Sequence, residues 1–394
     1  MKCKGYIHPD YQSVAETFSK HFEQGEEIGA ALCLYHRHQK VLDIWGGWSD
    51  LSRKSAWQEN TLVPFFSATK AVAASCLAHC HARGLFRYNE PVAKYWADFA
   101  QGGKADITIG QLLQHRAGLA AVDHKLSPEL IRNKAALESI LAQQTPHWPP
   151  GDYQGYHVWN IGWYISALLC RIDPKGRRLK AFVEEELLPQ LEGEVRIGLD
   201  RDFNPNRLAQ LKPFSKIKGL FAMPFSFVLQ FFNPWSLTLR AMLNPSFVGN
   251  HSNFNKLEIL QLEMGAGGGV GNARGLASLL DALSDPDHPL YLGPSTLQYL
   301  MQYPDPPRKG YRDIVFQQDA FRFHAGFMKP SERHHFSDDA SAFGGFGAGG
   351  SFVFTEPEQQ LTLAYTMNNM SSEMMNMERE VALRESVRET IKSH

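Results

Sequence analysis

The sequence predicts an α+β fold: one antiparallel sheet built from strands at both ends of the chain and flanked by helices, plus an all-helical lobe from the middle. Three observations lead there. Apolar and polar residues alternate near the N-terminus, helix-period stretches fill the middle, and alternation returns near the C-terminus before a last helix. Strands so far apart in sequence bury a common face most simply by pairing into one sheet, with the helices packed beside it.

Residues 11–23 read as a helix. Residues 28–35 and 41–45, split by the polar HRHQK, read as a β-hairpin, closed by Gly46, Gly47 and Ser49-Asp50. Residues 62–66 lead into a helix beginning near Ser67, whose interior AVAASCLAHCHA is rich in good helix formers. A helix over 109–115 stops at Arg116-Ala-Gly118. Further helices are expected over 128–143, 159–171, 179–191 and 272–284. Strands are expected over 321–328, 351–355 and 361–367, then a terminal helix from about Glu373. No internal repeat or low-complexity linker divides the chain. Residues 1–394 therefore read as one catalytic unit, with a sheet lobe at about 1–85 and 285–394. The helical lobe spans about 86–284 and carries an aromatic-rich segment at 214–250.

The hydrophobic share of 43% supplies ample material for a core. A formal net charge of -1, with no long run of one sign, argues against nucleic acid or an anionic membrane surface as the main partner. The N-terminal MKCKGYIHPDYQSVAETF lacks the apolar core of a secretory signal. Five irregularly spaced cysteines suggest no disulfide framework, so a cytoplasmic setting is expected. Residues 219–239 carry no charge, but Pro224, Gln230, Asn233 and Pro234 interrupt them, and no stable membrane span is expected.

The segment PFFSATKAVAA places Ser67 and Lys70 three apart at the start of a helix, on one face. A helix start favours developing negative charge, and a desolvated amine can serve as base for a hydroxyl. The pattern alone is weak, and a second copy, Ser215-Lys-Ile-Lys218, has no comparable strand-to-helix setting.

Other segments lift Ser67 above chance. WGGWSD, LVPFFSATKAVAA, ITIGQLLQHRAGL, WPPGDYQGYHVWNIGW, GVGNARGLASLLDAL and FGGFGAGGSFVFTEPE occur in this order along nearly the whole chain. Together they resemble the serine β-lactamase-like (β-lactamase/transpeptidase-like) superfamily, in its class C branch and family VIII carboxylesterases. The resemblance implies an acyl-enzyme at Ser67, with Lys70 and Tyr156 sharing proton transfer. Tyr153 is the local competitor for that tyrosine and Tyr164 a remote one. Class C β-lactamases carry Asn two residues after the tyrosine, where Val158 stands here; Asn160 lies two further on. The third family motif falls on Gly345-Phe346-Gly347, which lacks the usual cation or imidazole at Gly345. Both departures disfavour β-lactams and D-alanyl peptides and point to small-molecule esters. The resemblance further implies an oxyanion hole from the backbone N–H groups of Ser67 and Ala348, with Gly345, Phe346, Gly347 and His157 at the substrate. A transacylase using the same acyl-enzyme is the nearest alternative. A β-lactamase, a D-alanyl peptidase or a silent binding protein ranks lower. The chemistry requires no metal or organic cofactor.

Gly345 to Gly350 also fits G-x-G-x-x-G, but a strand rather than a helix is expected to follow it, against a dinucleotide site. Cys76, His79, Cys80 and His81 lack a second ligand pair at zinc spacing and read as core. His334-His335 reads as surface, and no G-x-S-x-G elbow is present. The segment carrying Phe214, Phe221, Phe225, Phe227, Phe231, Phe232 and Trp235 is expected either to wall an acyl pocket, with Phe225 and Phe231 as its rim, or to fill the helical lobe's core.

Overall fold

The computed structural model describes residues 3–215, 219, 223–373, 375 and 377–392. Lys216 to Lys218 and Phe221, singled out above, lie outside the described residues. Strand β1 (Lys4–Ile7) precedes helix α1 (Gln12–Glu23), whose buried Val14, Ala15, Phe18 and His21 follow the helical period. Strands β2 (Gly29–His36) and β3 (Gln39–Gly47) form a hairpin turned by Arg37 and His38, both with positive φ. Strand β4 (Val63–Phe66) runs into α2 (Thr69–Ala82), and α3 (Ile161–Ile172), β5 (Val195–Ile197) and α4 (Phe225–Phe232) follow. Then come β6 (Gly269–Gly271), α5 (Ala273–Ala282), β7 (Arg312–Asp313), β8 (Gln318–Asp319), β9 (Arg322–His324) and β10 (Phe327–Lys329). Strands β11 (Phe343–Phe346), β12 (Phe352–Glu356) and β13 (Leu361–Met367) lead to α6 (Glu378–Lys392).

The large sheet has the order β1-β3-β2-β13-β12-β11-β10-β9, every neighbouring pair antiparallel. Its joint is the pairing of β13 with β2, from Leu361 opposite His36 to Met367 opposite Ala30, which ties the two ends of the chain together. Thr362 and Tyr365, an odd number of residues apart, point to opposite faces of that sheet. Thr362 bonds Asp281 of α5, so α5 covers one face. Tyr365 bonds buried Glu27, which pairs with Arg379 of α6, so α6 covers the other. A small sheet, β4-β6-β5, supports the strand that leads to Ser67. No helix among the described residues is long and apolar enough to cross a membrane.

Long-range packing altered several expectations. The helix expected over 128–143 is two helices, because Asn133 leaves helical geometry and caps the second through its side chain to Ala136 N (3.2 Å). The strand expected over 321–328 is the hairpin β9–β10, turned at Ala325 and Gly326 with φ of 50° and 91°. The helix expected over 179–191 loses regular geometry after Phe182. Helix α5, within the stretch assigned to the helical lobe, packs on β2, β12 and β13.

Candidate active site

Strand β4 ends at Phe66, a buried bulky residue held at φ 45°, a conformation that costs about 1–3 kcal/mol and persists only when its surroundings fix it. The surroundings do so on both sides. The Phe66 ring packs against Phe254 (centroids 5.0 Å) and His251 (5.3 Å). The Phe66 carbonyl accepts from Thr69 Oγ1, which itself accepts from Gly269 N at 2.9 Å. This bend throws Ser67 out at the mouth of α2, where it is half-buried, while its neighbours Phe66, Ala68 and Lys70 are buried.

Lys70 lies one turn on. Its Nζ is 2.8 Å from Ala266 O, 2.9 Å from Val158 O and 3.2 Å from Ser67 Oγ. Burial pushes its pKa well below the ordinary lysine value. No salt bridge offsets that burial among the described residues. The three partners also suit a neutral amine: two N–H groups donate to the two carbonyls, and the lone pair is left to accept from the Ser67 hydroxyl.

Tyr156 completes the group. Its phenol interacts with the Ser67 hydroxyl, and Lys70 Nζ stands 4.6 Å from the ring centroid. Burial first, and the Asp313 carboxylate second, push the phenol's pKa above its ordinary value, against the lowering effect of the Ser67 contact. At neutral pH it is a phenol that can relay a proton, rather than a standing phenolate. The ring is gripped by His115 (4.9 Å), Phe316, Phe321 and Phe323 (each 5.6 Å). The backbone is held as well: Tyr156 N donates to Asp313 Oδ2 at 2.9 Å. Asp313, fully buried on β7, also accepts from Val315 N (2.8 Å) and Phe316 N (2.9 Å). Burial raises its pKa to about 6 despite those bonds. Tyr164 bonds Leu141 O instead, and no contact joins Tyr153 to Ser67 among the described residues.

On the other side of Ser67, β11 approaches so closely that a side chain has no room at Gly347 and would be crowded at Gly345. A Cβ on Gly347 would lie 2.1 Å from Phe65 O, and one on Gly345 3.0 Å from Ala71 Cβ and 3.3 Å from Ala68 Cα. Ser351 fastens the turn, donating through Oγ to Phe65 O (3.0 Å), while its carbonyl accepts from Gly347 N (2.7 Å). The backbone N–H groups of Ser67 and Ala348 make no hydrogen bond among the described residues. They lie on the two segments thus brought together.

Three residues expected at the substrate have the following placements. Gly345 faces α2, so its side of the strand is occupied by Ala68 and Ala71 rather than open to a ligand. Phe346, the next residue, therefore points to the opposite face, where its ring packs against Phe336 (4.9 Å) and Phe352 (5.5 Å). His157 is fully buried: its Nδ1 donates to Gly155 O (2.9 Å), its N–H to His115 Nδ1 (3.1 Å), and burial lowers its pKa to about 3. It braces the segment behind Tyr156. Asn160 likewise turns away and donates to Leu119 O. His334, expected at the surface, is buried against Phe321.

Two supports of the site escaped the sequence reading. His115 reads only as the end of the helix over 109–115 and as part of a motif segment; its positive φ of 59° and its contact with the Tyr156 ring are set by the fold and carry no signal in the sequence. Asp313 is remote in sequence, with no local signal to link it to Tyr156.

The Beta-lactamase family matches residues 14–387, most of the chain. The chain belongs to that family. Within the β-lactamase family, it is similar to the "Esterase/beta-lactamase LipL" of Mycobacterium tuberculosis (strain ATCC 25618 / H37Rv), 26% identical over 94% of this chain and 84% of that protein. It superposes on a family VIII carboxylesterase with a TM-score of 0.87 at 26% identity, covering 99% of this chain and 100% of that one. For EstA from Arthrobacter nitroguajacolicus Rue61a the TM-score is 0.85 at 28% identity, covering 100% and 99%.

Proposed function

We propose that this β-lactamase family member is a serine hydrolase of carboxylic esters. The observation that carries the reading is the position of Lys70 Nζ, buried and shared among Ser67 Oγ, Val158 O and Ala266 O. Ser67 Oγ attacks the ester carbonyl while its proton passes to Lys70, directly or through Tyr156. The tetrahedral oxyanion is held by the N–H groups of Ser67 and Ala348, donors each worth about 3 kcal/mol in comparable sites. The proton returns through Tyr156 to the departing alkoxide, which leaves as alcohol. Water then attacks the acyl-Ser67 carbonyl with the same pair as base, releasing the acid and restoring the hydroxyl.

Two departures favour esters over β-lactams. Val158 offers the site its carbonyl to Lys70 and no side-chain amide to a substrate, and Gly345 offers no cation to a substrate carboxylate. The carboxylesterases and esterase with which the chain aligns support the same substrate class. The five unpaired cysteines fit a reducing, cytoplasmic setting. Purified protein assayed with p-nitrophenyl esters and with nitrocefin tests the reading. Ester turnover abolished in Ser67→Ala is the expected result; nitrocefin turnover exceeding ester turnover would overturn it.

A further inference from the structure

The aromatic-rich segment divides into an inner and an outer side. Inside, Phe227 is buried and stacks on Phe316 (5.9 Å), which touches the Tyr156 ring. Thr238 Oγ1 and Ser226 Oγ fasten the segment to Val315 O (2.7 Å) and Gln317 O (3.4 Å), on the turn that follows Asp313. Outside, Phe225 is 75% exposed, Leu229 56%, Phe232 69% and Trp235 86%. The first three recur at i, i+4 and i+7 and so share one face of α4, and Trp235 stands just past its end. Phe225, expected at the rim of a pocket, faces solvent.

Four such side chains present on the order of 500 Å² of apolar surface, a size that marks an interaction site. That is below the roughly 800 Å² per partner that a stable dimer buries. The local charge names a different occupant. From Phe203 to Leu257 the chain carries six Lys or Arg residues and no Asp or Glu, although the whole chain carries 41 acidic residues. Arg207 and Arg240 are paired with Glu194 and Asp123. Lys212, Lys216 and Lys218 lie just ahead of α4 in sequence. The balanced net charge of the whole chain conceals this local excess.

We propose that α4 and Trp235 dock this protein on the surface of an anionic phospholipid membrane. Phe225, Leu229, Phe232 and Trp235 enter the boundary between headgroups and acyl chains, and the excess of basic over acidic residues along this stretch of sequence favours anionic headgroups. The helix lies in the interface without crossing it; its eight residues span about 12 Å. On the esterase reading, the docked face is separated from Tyr156 by two aromatic rings, Phe227 and Phe316, which places the site close to membrane-dissolved esters.

The test is flotation of the full-length protein with unilamellar vesicles, of phosphatidylcholine alone and with about 30% phosphatidylglycerol. The expected result is binding to the anionic vesicles, weaker binding to the neutral ones, and loss of binding at high salt. Ser67→Ala binds like the wild type, so the outcome does not depend on catalysis. Combined Phe225→Ser, Leu229→Ser, Phe232→Ser and Trp235→Ser lowers binding about tenfold or more, with turnover of a short soluble ester unchanged. Absence of vesicle binding, equal binding by this variant, or equal binding to both vesicle types would overturn the proposal. So would a wild-type dimer in light scattering that the variant converts to monomer, since the face would then belong to a second copy.

Discussion

Replacing Tyr156 by phenylalanine removes one oxygen and leaves everything that positions the ring. His115, Phe316, Phe321 and Phe323 keep their contacts, and the backbone bond to Asp313 is untouched. The loss in stability is therefore that of one hydrogen bond, about 1 kcal/mol. The chemical loss is larger. A fully buried phenol with a raised pKa cannot act as a free phenolate, so its contribution is transfer of the serine and leaving-group protons. Such transfer by a positioned side chain is worth about 10²–10⁴-fold in rate, or roughly 3–5 kcal/mol. Lys70 still reaches Ser67 directly, which sets the floor above complete inactivity. Steady-state kinetics with p-nitrophenyl acetate should show kcat reduced by about 10²–10⁴ and KM nearly unchanged. Thermal unfolding serves as the control for fold. A variant that folds normally and retains kcat within about threefold of the wild type would refute the relay, since a purely structural phenol is the only role left.

Three other expectations concern the neighbours of that phenol. Lys70 must lose its proton to act as base, so kcat/KM should rise with pH and level off well below the ordinary lysine value. Lys70→Arg, which stays protonated, should lose at least about 10³-fold, and a profile rising only near pH 10.5 would contradict this. Asp313→Asn should lower kcat by replacing the acceptor of Tyr156 N–H. Because Asp313's folded pKa is raised to about 6, the wild type loses about 3 kcal/mol relative to the variant as pH rises from about 4 to above 6. An equilibrium-denaturation difference constant across that window would count against it. Gly345→Ala forces a methyl to within 3.0 Å of Ala71 Cβ and should cost about 1–3 kcal/mol in denaturant unfolding; a neutral result would mean α2 and β11 are not in tight contact.

The parts legible in the sequence were those set by short-range chemistry. Ser67 and Lys70 share a helix turn, and the alternation over 361–367 gave a strand with the observed limits. Distant partners set what the sequence concealed. Gly345 looks open as a motif position, yet its face is decided by the register of β11 against α2. Asn133 reads as an ordinary polar residue inside a helical pattern until its side chain caps the next turn. Glycines at Gly344 and Gly345 hid β11, because glycine carries no strand preference, although a Cβ at Gly344 would collide with β12 and one at Gly345 would crowd the Ala68–Ala71 turn. The apolar run over 219–239 drew attention as a possible span, but only packing could divide it into an inner face against Phe316 and an outer face toward solvent.

The central claim is that a covalent bond forms at Ser67 and is broken again. Rapid-quench intact mass spectrometry during turnover of a p-nitrophenyl ester reads this directly. A transient species heavier by one acyl group, mapped to the peptide containing Ser67 and missing in Ser67→Ala, is the predicted result. Ester hydrolysis at full rate by Ser67→Ala, or an acyl group found on another residue, would contradict it.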